Sequence, residues 1–504
     1  MGAGTQPREA DTGHLRSMAR GGGLNLMGAV SSQLALLAIT LLLAHTLGSR
    51  EVGRYAECYA LLSLLGLLSL CGFRAAMTRF VAIHLADDDP ARLRGTVRLG
   101  LGLSLGSSAL LGALLAGLAV PISHLFHDPT LVTALVLTGL TLPAATFTDA
   151  ALSATQGWRT QRPFTLIGRV YEPMTRLALT AAALLIGAGI NGAFWALAIA
   201  AWSASLLSAR ALHMRMRTIP KATPVYGIRA IFSFSMVSWV STLASTGLIW
   251  ADTLILAAMT TNRDVGVYNV ATRLVMLAVF VMAPINAAFS PQIAHLHHTG
   301  NMKGLALSYK AATGWIVRLS LPAFVLLIVF PQDLLRLFGN EFRSAAAVTA
   351  VLAVGQLVNA ATGPCGTLLN MSGKVAVNMA DNLGVLALNV ALNLWLIPRF
   401  GILGAALAWS ISLVCVNVLR VLQVRRYMGV LPFSTATVKG LVAGAATLVA
   451  AIAVRTLVGS GNARVIVGVS AALIVYSSVT ALLRISIEDR ALLAAVAGRG
   501  HQAA

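Results

Sequence analysis

Charge is scarce in this chain: only 11% of its 504 residues are Asp, Glu, Lys or Arg, while 57% are hydrophobic. Soluble domains carry about a quarter charged residues, so with a mean hydropathy of +0.79 a water-soluble fold is excluded. Acids are the rarer sign, 17 against 37 Lys and Arg, giving a formal net charge of +20. No helix-turn-helix and no aromatic-basic interleaving accompanies that surplus, so a nucleic-acid partner is not expected. Cysteine is sparse too. Cys58, Cys71, Cys365 and Cys415 each sit in an apolar run without metal or redox spacing, and read as small buried hydrophobes. The acidic run Asp87 to Asp89 lacks a companion His, Glu or nucleotide motif in any sizeable extramembrane segment. It reads, with Arg74, Arg79, Arg92, Arg94 and Arg98, as a solvated connector, and neither an enzyme, a cofactor nor a metal site is expected. Residues 1–23 are a Gly-rich polar stretch without the basic, apolar and small-residue order of a cleaved signal peptide.

Long apolar runs are plentiful. About fourteen reach the roughly 20 residues that cross a bilayer, which predicts an all-α integral membrane protein. The expected organisation is a tail at 1–23, six spans in 24–213, a basic linker at 214–226, six more spans in 227–424, two spans in 437–483 and a tail at 484–504. Most Lys and Arg fall in alternate short loops, so both termini and the linker are expected to be cytoplasmic, in an inner membrane with anionic lipids as partners. Three segment pairs recur at nearly equal offsets. Ser49 to Ala56 resembles Asn262 to Asn269, Gly189 to Ala196 resembles Gly401 to Ala408, and Ala154 to Gln161 resembles Asn370 to Val377. They predict two parallel six-helix lobes, with the last two spans outside the duplication.

The polar residues inside spans carry the functional reading, because an intramembrane charge is expensive. In the seventh span Ser238, Ser245 and Asp252 share a helix face, and in the eighth Asn269 and Arg273 are four apart. Asp252 and Arg273 each lie about eight residues from the turn between these spans, roughly 12 Å at 1.5 Å per residue. At matched depth they make either a buried ion pair or part of a polar cavity. In the fifth span Arg169, Glu172 and Arg176 follow at i, i+3 and i+7, with Pro173 beside the acid. They form a cavity face or snorkel to the interface. Asp149 and Asp381 line a polar interior or pair locally near helix ends. Glu51 and Asp264 stand where an acid faces the positive end of a helix.

The segments LAHTLGSREVGRYA (43–56), LILAAMTTNRDVGVYNVATRL (254–274), LLNMSGK (368–374) and IPRFGILGAALA (397–408) carry a family likeness. With the two halves, they make the chain similar to the polysaccharide flippase branch of the MOP exporter superfamily, the Wzx-like O-antigen and teichoic-acid exporters. That resemblance implies a two-lobe transporter moving polyprenyl-diphosphate-linked glycan between leaflets, with Arg169, Arg176 and Arg273 as its cavity cations. Glycan polymerases or glycosyltransferases are the expected protein partners. Two other readings stay open. One is an ion-coupled multidrug or small-solute antiporter, with Asp252, Asp149 or Glu172 titrating; the other is a membrane scaffold for glycan assembly.

Overall fold

The computed structural model describes residues 7–459 and 461–483. Residues 1–6 and the tail expected at 484–504 lie outside the described residues. Helix α1 (Pro7–Leu47) begins well before the apolar run at Leu24. It is followed by α2 (Ser49–Ser69), α3 (Phe73–Ala86), α4 (Pro90–Gly117), α5 (Ala119–Leu125), α6 (Val132–Gln156), α7 (Glu172–Leu185) and α8 (Gly189–Met216). The chain continues with α9 (Ile228–Met259), α10 (Asn262–Val279), α11 (Met282–His298), α12 (Met302–Val329), α13 (Pro331–Leu335), α14 (Ala346–Thr362) and α15 (Cys365–Met371). It closes with α16 (Val375–Phe400), α17 (Ile402–Met428), α18 (Thr435–Leu457) and α19 (Asn462–Leu482).

Among the described residues, eleven helices are long and apolar enough to cross a membrane alone, and two bent pairs raise the number to 13. The fifth expected span is the remaining one. It is split into a π-helix at Phe164–Tyr171 and the 14-residue α7. Pro173 has no N–H to donate, and the adjoining Glu172 N–H reaches back five residues to the Ile167 carbonyl, which winds the turn wide.

The connector expected around Arg74 to Arg98 is mostly helical. Phe73, Ala76, Met77 and Val81 recur at helical spacing beneath the charges and are buried, so α3 continues α2 across a 44° bend. The Asp87 to Asp89 run ends in a helix cap, with the Asp89 carboxylate accepting from the Arg92 N–H at 2.9 Å and Pro90 opening α4. Cysteine also departs from expectation. Cys58 and Cys365 are buried, Cys71 is half-buried, and Cys415 is exposed beside an apolar cavity of about 470 Å³ between α14 and α17. An apolar run does not say which of its faces turns inward.

Contacts divide the chain into two units, one of residues 1–47 and 54–246, the other of 48–53 and 247–504. In the first, Met77, Val81, Leu93, Val97, Ala150 and Leu212 make a core joining α3, α4, α6 and α8. In the second, Ile293, Leu305, Tyr309, Leu368 and Val424 do the same for α11, α12, α15 and α17.

The short segment 48–53 packs inside the second unit against its repeat counterpart. A Cβ at Gly53 would overlap the carbonyl oxygen of Asn262, and a Cβ at Gly266 would overlap that of Ser49. Both helices are therefore pinned at positions where only glycine fits. The second repeat pair shares its backbone: Gly189 and Gly401 have φ of 59° and 55°, each beside the start of its helix. The third pair does not, since Gly157 is helical at φ −57° whereas Gly373 is left-handed at +80°.

Candidate functional site

The first unit contains a cavity of about 290 Å³ whose lining includes Tyr59, Ser63, Arg74, Asp149, Glu172 and Thr242. Its wall is built mainly from α2, α6 and α8, with Glu172 from the start of α7 and two threonines from α9. The polar groups are placed by the bend that opens α3 and the wide turn that precedes α7. Arg176 is 3% exposed, 3.5 Å from Glu172 through its Nε, with its guanidinium 5.1 Å from the Tyr59 ring centre. The ring face adds a cation–π contact to the ion pair, holding a charge that the apolar surroundings disfavour. Arg169 does not join this pair. The π turn changes the rotation between 169 and 172, and the Arg169 guanidinium lies 5.3 Å from the Phe164 ring centre, with Arg74 and Asp149 as its electrostatic neighbours.

Arg74 is the cavity residue that sequence reasoning missed. It was expected in a solvated connector, yet it lines the cavity with its guanidinium 5.8 Å from the Phe164 ring centre. Of the serine face on α9, Ser238 is half-buried, while Ser245 is exposed and donates to the Ser241 carbonyl of its own helix at 3.1 Å. It is Thr242 and Thr246 of that helix that line the cavity.

The second unit holds a smaller cavity of about 60 Å³, lined by Trp250, Asp252, Tyr268, Asn269 and Arg273 among others. Asp252 and Arg273 thus share one cavity, but the carboxylate is not held by that guanidinium. Tyr268 Oη donates to Asp252 Oδ2 at 2.9 Å, and Asn393 Nδ2 donates to Oδ1 at 2.6 Å. Asn393 is in turn held to Asn389 by contacts of 2.9 and 3.1 Å to its carbonyl and side-chain oxygens. Asn389 Nδ2 and Asn393 Oδ1 stay without hydrogen-bond partners. The result is a buried carboxylate dressed by neutral groups, with amide capacity to spare. Arg273 stands with its guanidinium 5.6 Å from the Trp250 ring centre. Asn269 is 7% exposed.

Asn389 and Asn393 gave no signal of their own. Only their spacing of four, which puts both on one face of α16, marked them. Asp381, nearer the start of the same helix, is held by α17: Gln423 Nε2 donates to it at 2.8 Å, and Arg420 Nε stands 3.9 Å away.

Outside the spans, Thr261 and Asp264 close a capping box at the start of α10. In the second turn of α2, the Arg54 Nε donates to Asp128 Oδ2 at 2.6 Å. Burial pushes the Asp128 carboxyl up, but hydrogen bonds from Arg54 and Thr130 outweigh it and hold the group below its ordinary value.

Comparison with known proteins agrees with this architecture. Residues 18–297 match the family described as polysaccharide biosynthesis protein, and residues 230–395 match the MatE family. The chain is 27% identical over 208 residues to "Probable flippase AglR" of Haloferax volcanii, covering 40% of this chain and 43% of that protein. It is 26% identical over 263 residues to "Probable low-salt glycan biosynthesis flippase Agl15" of the same organism, covering 50% and 54%. The matches therefore span about half the length of these curated relatives. Among solved structures, the lipid II flippase MurJ in an inward closed conformation superposes with a TM-score of 0.71 at 13% identity, covering 91% of this chain and 99% of that one. An inward-facing multidrug resistance MATE transporter superposes at 0.67 and 14% identity, covering 80% and 98%. With more than half of its length matched by one family, the chain belongs to the polysaccharide biosynthesis protein family.

Proposed function

We infer that the protein is a flippase for polyprenyl-diphosphate-linked oligosaccharide, working by alternating access between two lobes in the cytoplasmic membrane, with both termini cytoplasmic. The observation that carries this reading is the first unit's cavity. Arg74 on its wall, with Arg176 and Arg169 close behind, sets cations within a span-bounded space of about 290 Å³. A glycan head cannot cross hydrocarbon unaided, whereas its polyprenyl tail can stay in lipid. Guanidinium forks suit a diphosphate, and Ser63 and Thr242 offer partners to sugar hydroxyls. Both curated relatives carry flippase in their names, one of them in glycan biosynthesis. Translocation forms and breaks no covalent bond, so no catalytic residue is assigned. Glycan polymerases or glycosyltransferases are the partners that would supply and consume such a substrate.

A coupling ion is the second element, and the Asp252 site supports it. A buried carboxylate bonded by Tyr268 and Asn393, with an unpartnered amide oxygen beside it, is a place for a proton or a monovalent cation. Asp149 and Glu172 on the first cavity are the alternative titrating groups. The test is reconstitution into liposomes with a defined polyprenyl-diphosphate saccharide and detection of saccharide on one leaflet only. Protein-dependent transfer is expected. Transfer no faster than in empty liposomes, alongside ion-driven export of small cations, would favour the antiporter instead.

A further inference from the structure

Arg176 is satisfied less completely than its burial requires. The residue is 3% exposed, yet Glu172 Oε1 stands 3.5 Å from its Nε, and that Nε has no hydrogen-bond partner. A charge-assisted bond between such groups closes to about 2.7–2.9 Å, so the pair is left ajar. Tyr55 packs beside it on α2, with its ring 6.2 Å from that of Tyr59 and its hydroxyl within the field of the guanidinium. Tyr55 is buried too, and its Oη has no hydrogen-bond partner. A guanidinium has no acceptor to offer a phenol, so the Tyr55 proton is unspent. Buried donors left in that state are costly.

The carboxylate is the movable member. Glu172 opens α7 directly after the wide π turn and keeps 20% of its side chain exposed on the cavity lining, whereas Arg176 keeps 4%. Arg176 is also held without it, by the Tyr59 ring face at 5.1 Å. Two buried donors, one of them charged, therefore lie behind a carboxylate that faces open space and hydrogen-bonds neither. A carboxylate has two oxygens in one plane. A phosphate presents three with more negative charge, and can reach both donors at once.

We propose that Glu172 is a built-in stand-in for the substrate's diphosphate: it occupies Arg176 between substrates, phosphate oxygens displace it to bond Arg176 Nε and Tyr55 Oη, and its return expels them. This inference rests on the flippase reading and adds Tyr55 to its site. The gain is release. A buried arginine without a competitor would hold a diphosphate too tightly to let it go, since breaking such a pair strands a charge. A carboxylate four residues away on the same helix competes as a tethered ligand, at high effective concentration.

The experiment measures binding of farnesyl diphosphate to the full-length protein in nanodiscs by calorimetry, beside leaflet transfer of the polyprenyl-diphosphate saccharide. Glu172→Gln removes the competitor's charge, and is expected to bind about tenfold tighter than wild type while transferring more slowly. In an Arg176→Gln background the same substitution is expected to gain nothing, because the competition is for that guanidinium. Glu172→Asp covers a failure of Glu172→Gln to fold. It keeps the charge, draws the carboxylate back by one methylene, and is expected to bind about threefold tighter at an unchanged melting temperature. Tyr55→Phe is expected to weaken binding about threefold, also without a change in melting. Binding by the Glu172 variants that is equal to or weaker than wild type overturns the proposal and leaves the flippase reading in place, the carboxylate then serving to orient Arg176. Transfer by a wild type that does not bind the diphosphate overturns this inference alone. Absence of both binding and transfer overturns the flippase reading and this inference with it.

Discussion

Glu341 holds Ser49 with both of its carboxylate oxygens: Oε1 accepts the Ser49 N–H and Oε2 the Ser49 hydroxyl, each at 2.7 Å. The segment 48–53 that packs in the second unit is thus fixed by a charged group as well as by close backbone contact. Gly48, with φ of 83°, makes the turn that lets the carboxylate approach.

Removing that grip is the first prediction. Glu341→Ala removes both acceptors from Ser49, at a cost of about 1–3 kcal/mol locally. Hydrogen exchange at the amides of residues 49–52 is expected to rise about tenfold or more. Exchange at wild-type rates there would mean the grip contributes nothing to the segment's stability.

Gly53→Ala and Gly266→Ala should each be severe, because the new methyl meets a backbone carbonyl that has no rotamer by which to yield. Transport at matched protein level is expected to fall by about tenfold or more, or folded protein to be lost outright. Gly384→Ala is the control, since a Cβ there has open space. Equal behaviour of all three variants would contradict the close crossing.

Asp252→Asn keeps the shape of a side chain whose partners are a phenol and an amide. The variant is expected to insert and melt near wild type, while transport under an imposed ion gradient drops to the rate without one. Arg273→Lys keeps charge but loses the planar fork, and should cut flipping about tenfold. Exchanging the two residues, Asp252→Arg with Arg273→Asp, is expected to leave flipping severely reduced. Near-normal transport by the exchanged protein would remove Arg273 from substrate contact.

The Arg54 and Asp128 clasp carries a pH signature. Asp128 has a lowered folded pKa, so its contribution is present above the ordinary carboxylate value and is lost as pH falls through the lowered one. Unfolding between about pH 4 and the lowered pKa should therefore include a component that Asp128→Asn abolishes. The same variant should melt lower at pH 7. A melting curve against pH that is identical for both proteins would dismiss the clasp.

Sidedness has a direct check. Asn262 is buried against Gly53, so the neighbouring exposed Arg263 is the position to probe. In a background lacking Cys58, Cys71, Cys365 and Cys415, Arg263→Cys is expected to react with an impermeant maleimide in intact cells. Reaction only after permeabilisation would invert the topology.

The sequence made the spans, the turns between them and the membrane class legible, because hydropathy and charge are local. It also brought Asp252, Asn269 and Arg273 to one cavity, since equal distances from a short turn fix depth. What it hid depends on long-range packing or on departures from ideal helix. Arg74 is exposed, as its connector position suggested, but its place on the cavity lining was hidden because the bend that carries α2 into α3 has no hydropathy signature. Arg169 looked aligned with Glu172 because a π turn is invisible to 3.6-residue counting. The true partners of Asp252 are amides on α16, more than a hundred residues away, and no spacing rule links them to α9.

The crossing at Gly53 and Gly266 has an evolutionary reading. By the repeat, Gly53 corresponds to Gly266 and Ser49 to Asn262; each glycine meets the carbonyl of the other's companion, so the contact is its own mirror partner. Such isologous meeting is how two identical subunits associate about a two-fold axis. A chain of half this length, bearing one Val-Gly turn, already held everything the contact needs to pair with a copy of itself. Gene fusion would have inherited that joint ready-made, and the two glycines are the positions that the crossing holds fixed in both halves.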